Sequence, residues 1–199
     1  MLKDQEIEFI FDETVINPIG FYGLGLVKSP AINEKFVLNS DEKYEYSIVN
    51  RAKKGGNRMI YSPIMIPEQR ITEYSEDGIK YFSWMSADTI RKLTENFMKN
   101  YNQKSISWQH DEQLNGEAII TEIWIVEDEK NDKLNALGFK VPAGTTAVGV
   151  KIYDDVLWEK IENKLAEGLS IEAFLPFIQS KNSKNLIVEI DEILEDYKK

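Results

Sequence analysis

Two side chains in this sequence could carry acyl-transfer chemistry together. His110 is the sole imidazole among 199 residues, so a general base working near neutral pH is most simply this residue. It ends a stretch that reads as extended, residues 105–110 (SISWQH), stands beside Asp111, and precedes a turn marked by Asn115-Gly116. The second element is Gly168-Leu169-Ser170-Ile171-Glu172-Ala173-Phe174, where a serine stands just past a glycine expected to end a helix, at the start of an apolar strand. A serine hydroxyl becomes a nucleophile only with a base in hydrogen-bond reach, and the base needs a third group to hold its tautomer. With no second histidine, that group must be acidic, or water, or absent. Glu189 and Asp191, which alternation puts on one face of a last strand, are candidates; so are Asp111 beside the base and Glu122 on an otherwise apolar strand face. Taken singly, a histidine in a loop and a serine in a strand are ordinary.

The elements that must position these residues read as an α+β chain with more strand than helix. Strands are expected at residues 7–11, 20–27, 44–49, 59–67, 79–84, 118–126, 145–153, 169–174 and 186–190. Gly20, Gly23 and Gly25 mark the second of these as a bent strand with close backbone approaches; no helix carrying a Lys-Ser/Thr pair follows, so a phosphate loop is not expected. Residues 52–58 (AKKGGNR) read as a polar turn, and strands 59–67 and 79–84 are expected to pair as a hairpin around a turn at 74–78. The prolines of 59–67 suit an edge or a strand boundary. Strand 118–126 is expected to be buried on both faces, with Ile119, Thr121, Ile123 and Ile125 on one and Ile120, Glu122, Trp124 and Val126 on the other.

Helices have clear signatures. Ser86 is a good N-cap, Asp88 suits the first turn, and Ile90, Leu93 and Phe97 share one face of a helix reaching Lys99. Asp154 or Asp155 caps a second helix carrying Trp158, Ile161 and Leu165, with Gly168 as its terminating glycine. Residues 127–138 read as a solvated charged loop and 191–199 as a short acidic helix or tail. A single domain is expected, residues 1–199, with 1–23 as an extension strand and 175–199 as a C-terminal strand plus acidic tail.

Composition removes several classes of function. Zero cysteines exclude zinc ribbons, disulfide scaffolds and thiol nucleophiles, and one histidine excludes two-histidine metal motifs. The net charge of −10 argues against general nucleic-acid binding, because phosphate would be repelled. No apolar run approaches the ~20 residues of a membrane span, and no basic-then-apolar leader opens the chain. A soluble intracellular domain with no cofactor and no metal is expected.

Six segments in order carry a family likeness: LGLVKSPAINEKF (24–36), YSPIMIPEQRI (61–71), YFSWMSADTIRKLTENFMKN (81–100), WQHD (108–111), EIWIVEDEKNDKLNALGFKVPAGT (122–145) and GLSIEAF (168–174). Together they resemble the phage serine proteases of the XkdF-like type, relatives of the prohead (procapsid) maturation proteases. The resemblance implies that His110 matches the catalytic histidine and Ser170 the nucleophile. It also implies a small, mostly antiparallel β-barrel flanked by helices, similar to the herpesvirus assemblins, with the third catalytic residue on a later strand, roughly where Glu189 and Asp191 lie. Ala173 stands where the family commonly has glycine, and Thr145-Thr146 where an aromatic often follows the threonine. The implied substrates are phage scaffold, the N-terminal part of the major capsid protein and the protease itself, within the assembling procapsid in the host cytoplasm. No nucleic acid and no membrane partner is implied, and self-association is possible in such a setting.

Two other readings compete. Glu122 with Asp128-Glu129-Lys130 echoes the carboxylates and lysine of a metal-dependent nuclease, although the net charge is wrong for DNA. A non-enzymatic head-assembly or scaffold protein that kept the protease fold is the other; such a protein has no need of both Ser170 and His110.

Overall fold

The computed structural model describes residues 5–11, 20–30, 58–74, 78, 80–173, 175 and 177–179. The strands expected at 44–49 and 186–190, the turn at 52–57, the tail, and with them Glu189 and Asp191, lie outside the described residues.

Eleven strands and three α-helices are described. The strands are β1 (Gln5–Phe9), β2 (Phe21–Val27), β3 (Met59–Met65), β4 (Ile71–Tyr74), β5 (Lys80–Met85), β6 (Ile106–Trp108), β7 (Glu112–Leu114), β8 (Ala118–Ile125), β9 (Thr146–Ile152), β10 (Gly168–Ala173) and β11 (Phe177–Gln179). The helices are α1 (Ala87–Lys99), α2 (Lys133–Ala136) and α3 (Asp155–Glu162), with a 3-10 turn at Asn102–Lys104. The class is α+β with sheet dominant. The strands bond into three sheets, ordered β11-β1-β5-β4, β10-β2-β6-β7 and β3-β9-β8. A closed barrel, expected from the resemblance, is not found among the described residues.

The sheet that carries Ser170 and leads into His110 is β10-β2-β6-β7. Its β10 runs antiparallel to β2, β2 parallel to β6, and β6 antiparallel to β7. A parallel neighbour needs a long crossover, and here the whole of β3 to α1 lies between β2 and β6. One face of this sheet is core: Leu24, Leu26, Ile106 and Leu169 are buried. By the two-residue period of a strand, the opposite face carries Gly23 and Gly25 of β2, Ser107 of β6, and Ser170 and Glu172 of β10. The same alternation that closes the core therefore gathers Gly23, Gly25, Ser107, Ser170 and Glu172 on the other side.

Helix α1 forms as its sequence dictates. The Ser86 side chain accepts from the Thr89 N–H, Asp88 sits in the first turn, and Ile90, Leu93 and Phe97 are fully buried. Phe97 stacks on Phe21 of β2 with ring centroids 4.1 Å apart, which ties the helix to that sheet. Asp154 caps α3 by accepting from Leu157 N–H, and Trp158 and Ile161 are buried.

Four local expectations are corrected. The hairpin partner of β5 is β4, and β3 pairs with β9 at the edge of the third sheet, where Pro63 costs no ladder bond on the free side. Helix α3 ends at Asn163, not at a terminating Gly168; Lys164 takes the left-handed turn, Gly168 opens β10, and Leu165 is half exposed. A bulge at Thr121 breaks the simple alternation of β8, so Ile120 and Ile123 pair with Val150 and Val148 on one face, while Glu122 and Trp124 share the other with Ile119. Sitting at a sheet edge, β8 is also not buried on both sides: Thr121 is exposed. Within the expected solvated loop 127–138, Leu134 of α2 is fully buried and Asp132 caps that turn by accepting from Leu134 N–H. Thr146, where the family often has an aromatic, is buried and shares a 2.6 Å hydrogen bond with Thr94 of α1.

Candidate active site

Strand β6 ends at Trp108, and the next two residues, Gln109 and His110, both adopt the left-handed conformation, with φ of 55° and 65°. Neither is glycine, so each costs of order 1 kcal/mol that its surroundings must offset. Gln109 supplies the anchors. Its backbone N–H donates to Leu26 O (3.0 Å), its Oε1 accepts from Lys28 N–H (3.3 Å), and its Nε2 donates to Leu165 O (3.2 Å). Asp111 N–H closes the turn on Trp108 O at 3.1 Å. His110 is thereby taken off the strand line and folded back across β2.

The imidazole rests on Gly25. A Cβ placed on Gly25 would lie 2.6 Å from His110 Cε1, 2.7 Å from Nδ1 and 3.1 Å from Nε2, closer than real atoms sit. Gly23, two residues earlier on the same face, does the same for Glu172: a Cβ there would lie 2.7 Å from Glu172 Oε2. The expected close backbone approaches of this glycine strand are real, and they are approaches by the His110 and Glu172 side chains.

Glu172 is the acid that meets the base. Its Oε1 lies 3.0 Å from His110 Nδ1 and also accepts the hydroxyl of Ser107. The Ser107 side chain is fully buried, the Glu172 side chain is 12% exposed and the His110 side chain 40% exposed. A carboxylate oxygen that accepts from two donors holds the proton of neutral imidazole on Nδ1 and leaves the lone pair on Nε2. Nε2 makes no hydrogen bond among the described residues, in a side chain that is 40% exposed.

Ser170 stands directly opposite Gly25 in the β10–β2 register. Facing residues of an antiparallel pair have Cβ positions about 4.5–5.5 Å apart, and the Cβ position of Gly25 is in contact with the imidazole. Ser170 and the imidazole therefore lie on the same face of the sheet, the ring over Gly25 and the serine on the strand facing it, and Ser170 is half-buried. No hydrogen bond joins Ser170 to His110 here; nucleophile–base contacts commonly tighten only around a substrate.

The sequence candidates divide clearly. His110 and Ser170 are placed on the same face of one sheet, at the level of Gly25. Asp111 is exposed and does not bond the imidazole. Glu122 is engaged elsewhere, accepting from Tyr61 Oη at 3.1 Å and pairing with Lys133. Those contacts hold its carboxyl below the ordinary glutamate range, the Lys133 hydrogen bond first, against partial burial that pushes the other way. Asp128 spends its carboxylate on its own turn, accepting from Lys130 N–H, Asn131 N–H and Asn131 Nδ2. Among the described residues, no three carboxylate or imidazole groups converge as a cation site would need, so the nuclease constellation is not assembled.

Glu172, Ser107, Gln109 and the glycine pair Gly23/Gly25 surround His110 in this cluster, and sequence reasoning did not assign them. The signal for Glu172 was present: Ser170 and Glu172 are two apart on a strand and so share a face. Nothing in the sequence placed β6 beside β2, and that is what brings in Ser107 and His110.

No helix among the described residues is long and apolar enough to cross a membrane. Neither the curated proteins nor the solved structures compared with this chain give a match. One protein family does match, over residues 46–178, a span that holds β3 to β10 with His110, Glu172 and Ser170 inside it. With more than half of its length covered, the chain belongs to the family described as "Putative phage serine protease XkdF".

Proposed function

We propose that this chain is a serine endopeptidase in which Ser170 is the nucleophile, His110 the general base and Glu172 the group that holds the imidazole. The observation that carries this reading is the Nδ1–Oε1 contact of 3.0 Å made above Gly25, the residue facing Ser170. His110 Nε2 takes the Ser170 hydroxyl proton as Oγ attacks the peptide carbonyl carbon. Collapse of the tetrahedral intermediate breaks the C–N bond, and the proton passes from Nε2 to the leaving amine. Water, deprotonated by the same nitrogen, then cleaves the acyl ester and restores the serine. Glu172 stays ionised and stabilises the imidazolium formed in each half-reaction. In this reading Glu172 takes the role expected of Glu189 or Asp191.

The family name and the resemblance support a role in phage head maturation, with scaffold, the N-terminal region of the major capsid protein and the protease itself as substrates inside the procapsid. The resemblance alone supports a relationship to the assemblin-type proteases. An acidic enzyme of net charge −10 is suited to that compartment, since it would not hold incoming DNA. Co-expression with the neighbouring head-protein genes, alongside a Ser170→Ala twin, tests the reading by intact mass. Discrete truncations that vanish in the twin are expected. Identical full-length products from both, in assembled particles, would favour a non-enzymatic assembly protein.

A further inference from the structure

We infer that Ser107 is a positioning residue of this site: its hydroxyl fixes the Glu172 carboxylate so that Oε1 meets Nδ1 of His110. The inference rests on the serine-hydrolase reading for its catalytic consequence, but not for its geometry.

Ser107 lies between Ile106 and Trp108 on a three-residue strand, and its side chain is fully buried. A buried hydroxyl is tolerated only with a partner, and its partner is the oxygen that receives the imidazole N–H. Ser107 faces Gly25 from the β6 side just as Ser170 faces it from the β10 side. Glu172 faces Gly23, one pleat away, so its carboxylate crosses β2 diagonally to reach Ser107. That crossing passes over Gly23, where any Cβ would collide with Oε2. A glutamate has three side-chain torsions, and a strand residue free to turn them has no reason to lie across its neighbour. The Ser107 donor supplies the reason, and the missing Cβ of Gly23 supplies the room.

One oxygen shared by two donors also makes the two bonds dependent on each other. Without Ser107, Glu172 regains its rotamers, and the imidazole loses the acceptor that keeps its proton on Nδ1. The proton then also populates Nε2, where it blocks the lone pair needed by Ser170.

Because His110 is the sole histidine, the experiment needs no resonance assignment. The full-length, isotope-labelled chain is titrated by NMR, and the imidazole nitrogen shifts of the neutral ring report its tautomer. A fluorophosphonate probe is used in parallel, with labelling of the Ser170 peptide followed by mass. The parent is expected to hold its proton on Nδ1. Ser107→Ala is expected to give a mixture of tautomers and to slow labelling about 10- to 100-fold, as loss of an outer orienting group does. Ser107→Thr, which keeps the hydroxyl, is expected to restore the tautomer and most of the rate. Should the alanine variant fail to fold, Ser107→Cys, with similar volume and a weaker donor, takes its place. An unchanged tautomer and rate in Ser107→Ala, or equal loss in the alanine and threonine variants with the tautomer intact, would overturn the inference. Absence of labelling in the parent would count against the hydrolase reading alone, because the tautomer still decides the role of Ser107.

Discussion

Two polar clusters in this molecule are built on the same device and end in opposite chemical states. Each straddles a glycine in the middle of three adjacent strands. Gly25 of β2 lies between Ser170 of β10 and Ser107 of β6, and Gly149 of β9 lies between Tyr61 of β3 and Glu122 of β8. In both, a Cβ on the glycine would strike the side chains that meet above it; at Gly149 it would lie 2.7 Å from the Tyr61 ring and 3.2 Å from Glu122 Cβ. The Gly149 cluster is closed on itself. Tyr61 donates to one oxygen of Glu122, Lys133 bonds the other, and the same ammonium lies 4.0 Å from the centre of the Tyr61 ring. A concavity of about 580 Å³ opens beside it, lined by Met98, Trp124 and Lys133 among others, yet its charged groups are already engaged: Glu122 with Lys133, and Asp132 with the Trp124 and Leu134 N–H groups. At Gly25 the carboxylate is equally spent, but on an imidazole that keeps its second nitrogen open and a serine beside it. A glycine floor brings side chains together; which atoms stay unpaired decides whether the result is a clamp or a site.

The largest test of this contrast is to fill the two floors. Gly25→Ala is expected to push the imidazole off the sheet and to cut fluorophosphonate labelling of Ser170 by about 100-fold or more, as an ångström of misplacement does. The fold should survive it, because a half-exposed imidazole has space to swing outward. Gly149→Ala is expected to leave labelling intact while costing about 1–3 kcal/mol of stability through overpacking, read as a drop in Tm. If both substitutions acted alike on labelling, the distinction between clamp and site would fail.

The two carboxylates give a second contrast of similar reach. Glu172→Gln removes the charge facing Nδ1 and lets the amide donate in place of accepting, so labelling should fall about 10²- to 10⁴-fold. Glu122→Gln should not change it. Loss with Glu122→Gln and none with Glu172→Gln would move the acid of the site to the other sheet.

The smallest effect concerns acid stability. The carboxyl of Glu122 is held below its ordinary value, so the folded state gains from its ionisation. That contribution is complete above the unfolded-state value of about 4.3 and is lost as pH falls through the lower folded value. Tm followed downward through that range should fall less steeply in Glu122→Gln than in the parent. Both partners are substantially exposed, so the difference is expected to stay within about 1 kcal/mol. A parent and variant with parallel profiles would show that the Lys133 pair adds nothing to stability.

Local signals in the chain carried much of the fold. Helix α1 was legible because a cap, an acidic first turn and a buried stripe all agree, and each is decided within one or two turns. The glycine strand was legible for the same reason, while the structure chose an edge over a strand boundary for Pro63 and Asp154 over Asp155 as the cap. The errors sit where pairing is non-local: β4 displaced β3 as the partner of β5, and a single bulge at Thr121 reversed which faces Glu122 and Ile123 occupy. Gly168 looked like a helix terminator because a glycine serves a helix end and a strand start equally well from sequence.

For the site, the sequence by itself determined the chemistry available: one imidazole, no thiol, and a serine two residues from a glutamate on a strand. It could not decide which acid meets the imidazole. His110 and Glu172 are 62 residues apart, and they touch only because β6 lies parallel to β2 on one side while β10 lies antiparallel to it on the other. Side-chain period fixes the face each residue takes along its own strand, but strand order fixes the neighbours across it. That order is set by burial of Leu24, Leu26, Ile106 and Leu169 on the far side of the sheet, a property of the packed core.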